Sequence, residues 1–172
     1  WREIGDGLDY YVEPMYQWGD EGGTTRKCWA GTGEVGYTFK NAAWAPRVLV
    51  GYEYLEGDDP STSTYEQYDP LFNRYPRFSE IIGYSWIGET GGYGHYTNLQ
   101  RLTLGVHATP TEKLKLQLEG SHLWANENTL GSDGPFGGGD SRGELAVLRA
   151  FYTMNEWVSM HAWAEYFWPG SY

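Results

Sequence analysis

This sequence predicts an all-β chain, specifically an antiparallel transmembrane β-barrel that is partial, with about seven or eight strands of a larger barrel. Three observations lead there. Apolar and polar residues alternate along stretches such as 8–19, 47–57 and 157–168. That exceeds the mode of about five or six residues for soluble strands and matches the ~9–11 that a tilted strand needs to cross a bilayer. Among 172 residues there are 24 Gly, 9 Trp and 15 Tyr, while hydrophobic residues make up only 40%. Many aromatics and glycines with few Ile and Val suit turns and aromatic girdles better than a sandwich core. Finally, short and long connections alternate, as periplasmic turns and external loops do. No apolar run approaches the ~18 residues of a membrane helix, so a membrane would have to be crossed by strands.

The strands follow in order. In LDYYVEPMYQWG (8–19), Leu8, Tyr10, Val12, Pro14, Tyr16 and Trp18 oppose Asp9, Tyr11, Glu13, Met15 and Gln17. In CWAGTGEVGYTFK (28–40), Trp29, Val35, Tyr37 and Phe39 oppose Ala30, Thr32, Glu34, Thr38 and Lys40. In RVLVGYEYLEG (47–57), Val48, Val50, Tyr52 and Tyr54 oppose Arg47, Gly51 and Glu53. RLTLGVHATPTEKLKLQLEGSHLW (101–124) reads as two strands and a tight turn. Leu102, Leu104, Val106 and Ala108 share one face of the first; Leu114, Leu116 and Leu118 oppose Lys115, Gln117 and Glu119 in the second. ELAVLRAFYT (144–153) is ambiguous, because Arg149 has the parity of Leu145 and Val147. In WVSMHAWAEYFW (157–168), Val158, Met160, Ala162, Ala164 and Tyr166 oppose Ser159, His161, Trp163 and Glu165.

The short links are 40–46, 109–113 and 154–156; the long ones are 20–26, 58–98 and 126–142. FSEIIGYSWIG (78–88) looks like a strand by composition, but a crossing there would break the alternation of every later link. Residues 58–98 are therefore expected to form one external loop excursion, with 78–88 a strand inside it or folded into the lumen. Seven crossings remain. Single-chain barrels usually have an even number, and the chain begins at Trp1 without Met or a signal peptide. The expectation is that 1–172 is a fragment of one barrel domain whose open edges the rest of its own barrel covers.

The formal net charge of −11 argues against nucleic acid, whose phosphates need a basic surface. Cys28 is the one cysteine, so no disulfide framework or cysteine metal site is available.

At APRVLVGYEYLEGDDPSTSTYEQYDPLFNRYPRF (45–78) the chain resembles the alginate export family of outer-membrane β-barrels. The resemblance is carried by Pro46, Arg47, Gly51, Tyr52, Glu53, Tyr54, Gly57, Asp58, Asp59 and the DPLF at 69–72. Asn98, Leu99, Pro110 and EYFWPG (165–170) follow in the order expected of that family's last third. It implies a many-stranded barrel in the outer membrane of a Gram-negative-type bacterial envelope, passing an anionic polysaccharide outward. A polyuronate conduit is expected to be lined by Arg and Lys. Here the polar set mixes Lys40, Arg47, Arg101 and Lys115 with Asp9, Glu13, Glu34, Glu53, Glu119, Glu144 and Glu165.

The residues expected to meet solute in the lumen are Glu13, Arg47, Glu53, Arg101, Lys115, Glu119 and Glu165. Arg74, Arg77, Tyr84 and Trp86 are candidates for a constriction or lid. Asp58, Asp59 and Asp69, with Glu56 and Glu66, form an acidic run that lacks EF-hand spacing and reads as a solvated loop rather than a Ca²⁺ site. Glu13, Glu53, Glu119 and Glu165 recur once per strand, as a polar lumen requires, so they do not read as a hydrolytic pair. His107 and His161 are expected to point inward as hydrogen-bonding groups. GTGEVG (31–36) lies within a strand, without the helix a nucleotide fingerprint needs.

No enzyme and no cofactor are expected, since neither a Ser-His-Asp grouping, a phosphate loop nor zinc spacing is present. Trp18, Trp29, Trp44, Trp124, Trp157 and Trp168 fall near strand ends, where girdle residues settle; Trp86 and Trp163 do not fit such positions. The expected partners are the lipid bilayer, a hydrophilic solute or polysaccharide, and envelope proteins. Two rival readings are a structural barrel that scaffolds a partner complex without transport, and a soluble carbohydrate-binding β-protein.

Overall fold

The alternating pattern has a direct consequence: each strand presents one apolar and one polar edge, and adjacent strands must align like with like. In the computed structural model, which describes residues 2–71, 77–85, 87–90, 92–129, 131 and 137–172, they do so. The strands are β1 (Arg2–Ile4), β2 (Leu8–Glu21), β3 (Thr24–Thr38), β4 (Arg47–Leu55), β5 (Leu99–Thr111), β6 (Leu114–Trp124), β7 (Ser141–Thr153) and β8 (Ser159–Pro169). All eight form one antiparallel sheet in sequence order, and the sheet is not closed. Such an open sheet is consistent with a partial barrel. Beyond the seven expected crossings, β1 adds a short strand paired with the start of β2.

The registers sort side chains into two faces. Tyr10, Val35, Val50 and Leu104 stand abreast on one; Leu8, Tyr37, Val48, Val106, Leu118 and Leu148 stand abreast on the next row of the same face. This bare face stays open, with Leu104 61% and Leu118 56% exposed. Opposite rows such as Asp9, Gly36, Leu49, Gly105, Glu119, Val147 and Glu165 belong to the covered face. The ambiguity of β7 resolves here: Leu145, Val147 and Arg149 all point to the covered face and are buried.

The covering comes from the chain between β4 and β5. Where 78–88 was expected to be a strand, the described residues there form none; the short helices α1 (Glu80–Ser85) and α2 (Ile87–Thr90) begin in it. Phe78, Ile82 and Tyr96 pack onto Ala30, Leu55, Leu99, Leu123, Leu145 and Val147, which makes the core of the structure. The apolar content that suggested a strand serves this packing instead. Ser79 caps α1 by accepting the Ile82 amide proton at 3.1 Å, and Glu80 adds charge to the first turn.

The second correction concerns 20–26. Instead of a long loop, β2 and β3 extend to a two-residue turn, Gly22–Gly23, with φ of 59° and 91°. Both residues must be left-handed in such a hairpin, which glycine accepts without strain. The end of the sheet bearing this turn, 56–98 and 125–140 is the loop end; the other, with 5–7, 39–46, 112–113 and 154–158, is the turn end.

Candidate functional site

Three ion-paired groups are built across the covered face. Arg47 on β4 reaches over β3 to Asp9 on β2, with Nε at 2.9 Å and a terminal nitrogen at 2.5 Å, and also lies 2.9 Å from Glu34. The side chain fits because Gly36 lies beneath it; a Cβ there would stand 2.2 Å from the guanidinium. Glu53, only 1% exposed, is held between Arg101, at 3.2 Å, and Arg77. Glu119 bridges His107, at 2.9 Å, and Arg149, at 3.0 Å. Every carboxylate in these groups is compensated, which is what burial of charge demands.

The same arginines hold the covering segment. Arg101 stacks over the Phe78 ring at 4.2 Å, and Arg149 donates to the Phe78 carbonyl at 2.8 Å while lying over Trp163 at 4.6 Å. Glu165 accepts the hydroxyl of Ser79 and the amides of Glu80, at 2.8 Å, and Ile81, at 3.2 Å. A carboxylate thus meets the amide end of α1, where the helix offers unpaired N–H groups.

A second buried network closes the loop end. Glu89 receives two bonds from Arg142, both 2.7 Å, and the Tyr172 hydroxyl at 2.9 Å. Asn98, at φ 48°, accepts the amides of Asn126 and Glu127 through Oδ1 and donates to the Glu127 carbonyl at 2.7 Å. Burial pushes the phenols of Tyr96 and Tyr172 up to about 12.

The structure therefore places Arg47, Glu53, Arg101, Glu119 and Glu165 on one face, within linked groups. Glu13 and Lys115 point to that face but are exposed and join none of the three. Of the lid candidates, Arg77 joins Glu53, and Tyr84 is exposed with its ring 5.3 Å from Tyr93; Arg74 and Trp86 lie outside the described residues. Asp58 and Asp59 accept the amides of Glu66 and Ser61, and Asp69 lies 3.5 Å from His95; among the described residues no carboxylates gather as metal ligands.

Two members of the expected polar set lie elsewhere. Glu144 has the parity of Leu148, lies on the bare face, and pairs with His122 at 3.1 Å. Lys40 is outside the strands and binds Glu3 at 2.5 Å. Arg142 and Arg149, which are both buried, were not among the expected site residues; Arg149 carried a signal, an arginine on the parity of buried aliphatics, whereas Arg142 has the parity of Glu144 and lies at a shift in register between Leu123 and Trp124 that the sequence does not announce.

A sequence profile of the family described as alginate export matches residues 1–131, which span β1 to β6 and the covering segment. The chain belongs to the alginate export family. A comparison with curated proteins finds no match. The alginate export family is a transport porin family of outer-membrane β-barrels, and membership implies a bilayer and the bacterial outer membrane as location. Trp18, Trp29 and Trp168 are exposed at the loop end, and Trp44 and Trp157 at the turn end. Trp163 is instead on the covered face, beneath Arg149.

Proposed function

We propose that this chain is part of the wall of an outer-membrane channel of the alginate-export type, which passes a hydrophilic solute of the anionic polysaccharide class. The sorting of the two faces carries the reading. Apolar side chains stand exposed along the bare face, and three ion-paired groups line the other. In lipid the first meets acyl tails, and the second borders water. The excursion 58–98 is then external, and Arg77 and Tyr84 mark a constriction. The edges of β1 and β8 pair with the rest of the barrel, and Glu13, Arg47, Glu53, Arg101, Lys115, Glu119 and Glu165 border the solute path. Guanidinium groups that alternate with carboxylates give a polyanion successive weak sites, which suits passage better than retention. Catalysis has no part in this reading.

The full-length protein in planar bilayers tests it. Stepwise conductance is expected, and Arg47→Ala with Arg101→Ala is expected to shift selectivity toward cations, because Asp9, Glu34 and Glu53 lose positive partners. A protein that inserts and gives no steps would act as a scaffold instead. One that fails to partition into detergent would be a soluble carbohydrate binder.

A further inference from the structure

The covering segment has two sides, and one of them packs on the wall. Phe78, Ile82 and Tyr96 are buried there, whereas Ile81, Tyr84 and Tyr93 are exposed, the two tyrosines by 56% and 60%. On α1, Ile81 and Tyr84 are three residues apart and share a face, turned away from the face that carries Ile82. The returning chain brings Tyr93 up beside them. The Gly94 amide donates to the Gly83 carbonyl at 3.4 Å, and Gly94 takes φ 62°, a left-handed value that glycine accepts without strain. The Tyr84 and Tyr93 rings then stand 5.3 Å apart at 83°, edge to face. The pair forms a corner of aromatic faces with polar tips.

We propose that this corner is a stacking platform for one pyranose ring of the saccharide in transit. The apolar C–H face of the sugar lies on a tyrosine ring, and its hydroxyls meet phenol oxygens, which both donate and accept. The inference rests on the channel reading, which puts this side of the segment on the bore.

The surrounding chemistry selects the occupant. In that reading acyl chains lie against the opposite face of the sheet. A bare anion finds little hold, because among the described residues of 77–98 the one arginine or lysine is Arg77, which Glu53 holds. Glu80, exposed at the head of α1, adds negative charge. A purely apolar partner would bury two phenol hydroxyls and offer them no hydrogen bond. A sugar ring, apolar on its faces and polar at its rim, matches both halves of each tyrosine. The segment thereby reads the ring, while the guanidinium groups of the wall meet the charge.

The test uses the full-length protein, folded in detergent, and three probes: an alginate hexasaccharide, maltohexaose and hexaglutamate, a polyanion without sugar rings. Binding is read by isothermal titration calorimetry. The wild type is expected to bind both saccharides. Tyr84→Ala and Tyr93→Ala are each expected to weaken both by about two- to tenfold, the scale of one aromatic contact, and to leave hexaglutamate as it is with wild type. Tyr84→Phe keeps the ring and is expected to fall between wild type and Tyr84→Ala. Saccharide binding unchanged in both alanine variants overturns the platform, as does an equal loss for hexaglutamate or a wild type that binds neither saccharide. An alanine variant that lowers the unfolding midpoint and leaves saccharide binding intact shows instead that another part of the barrel covers the pair. Conductance of the same preparations reports on the channel separately. Steps with saccharide binding indifferent to both tyrosines refute the platform alone, and tyrosine-dependent binding without steps refutes the channel alone.

Discussion

A side chain can reach across a whole strand only if the strand beneath it gives way, and Gly36 does this for Arg47. Gly36→Val is therefore expected to push the guanidinium off Asp9 while leaving every charge in place. Its selectivity shift in planar bilayers should follow that of Arg47→Ala, with about 1–3 kcal/mol lost in unfolding experiments for the stranded carboxylate. Tyr96 supplies a pH signature. Its phenol is neutral up to about 12 in the fold, against about 10 unfolded, and donates to the Ser79 carbonyl at 3.0 Å. The stability from that burial is complete below pH 10 and is lost as pH rises through 12. Tyr96→Phe should remove this alkaline loss, as read by unfolding at pH 9 against pH 12. Most face assignments were legible in the residues, because Leu102, Leu104 and Leu118 alternate with Arg101, Thr103 and Glu119 without a break. Arg149 and Glu144 were not, since each breaks parity for a reason outside its own strand. Arg149 has Glu119 and the Phe78 carbonyl opposite it, and Glu144 has His122 beside it.

Among the elements, α1 depends most on contacts distant in sequence. Ser79→Ala removes both its cap and a partner of Glu165, and should cost about 1 kcal/mol. Faster hydrogen exchange at the amides of 80–85, with β6 and β7 unchanged, would register this. The strands were readable because period two is a local property, and β6 matches its expected bounds of 114–124. The covering segment was not, because FSEIIGYSWIG has the aliphatic and aromatic content of a strand, and burial against Leu123 and Leu145 decides its form. The local evidence for helix was slight: Ser79 before Glu80, and no strict alternation. The turn at Gly22–Gly23 was a missed hairpin signal, hidden by the polar residues around it.

For the molecule as a whole, the covering segment fills part of one face at the loop end and leaves the turn end open. Replacing 78–96 by a short Gly/Ser linker in the full-length protein is expected to raise single-channel conductance, and unchanged conductance would show that the segment lies clear of the path. The candidate site was half legible for a related reason: composition and parity identify which side chains face solvent, while pairing across three strands requires the register. That register has a final consequence. Each strand lies beside its immediate predecessor, so the wall can grow by one hairpin at a time from either flank. A half-built intermediate then exposes one margin on each flank, ready to template the next arrival. Delivery to the bilayer need never disentangle a strand that has already docked.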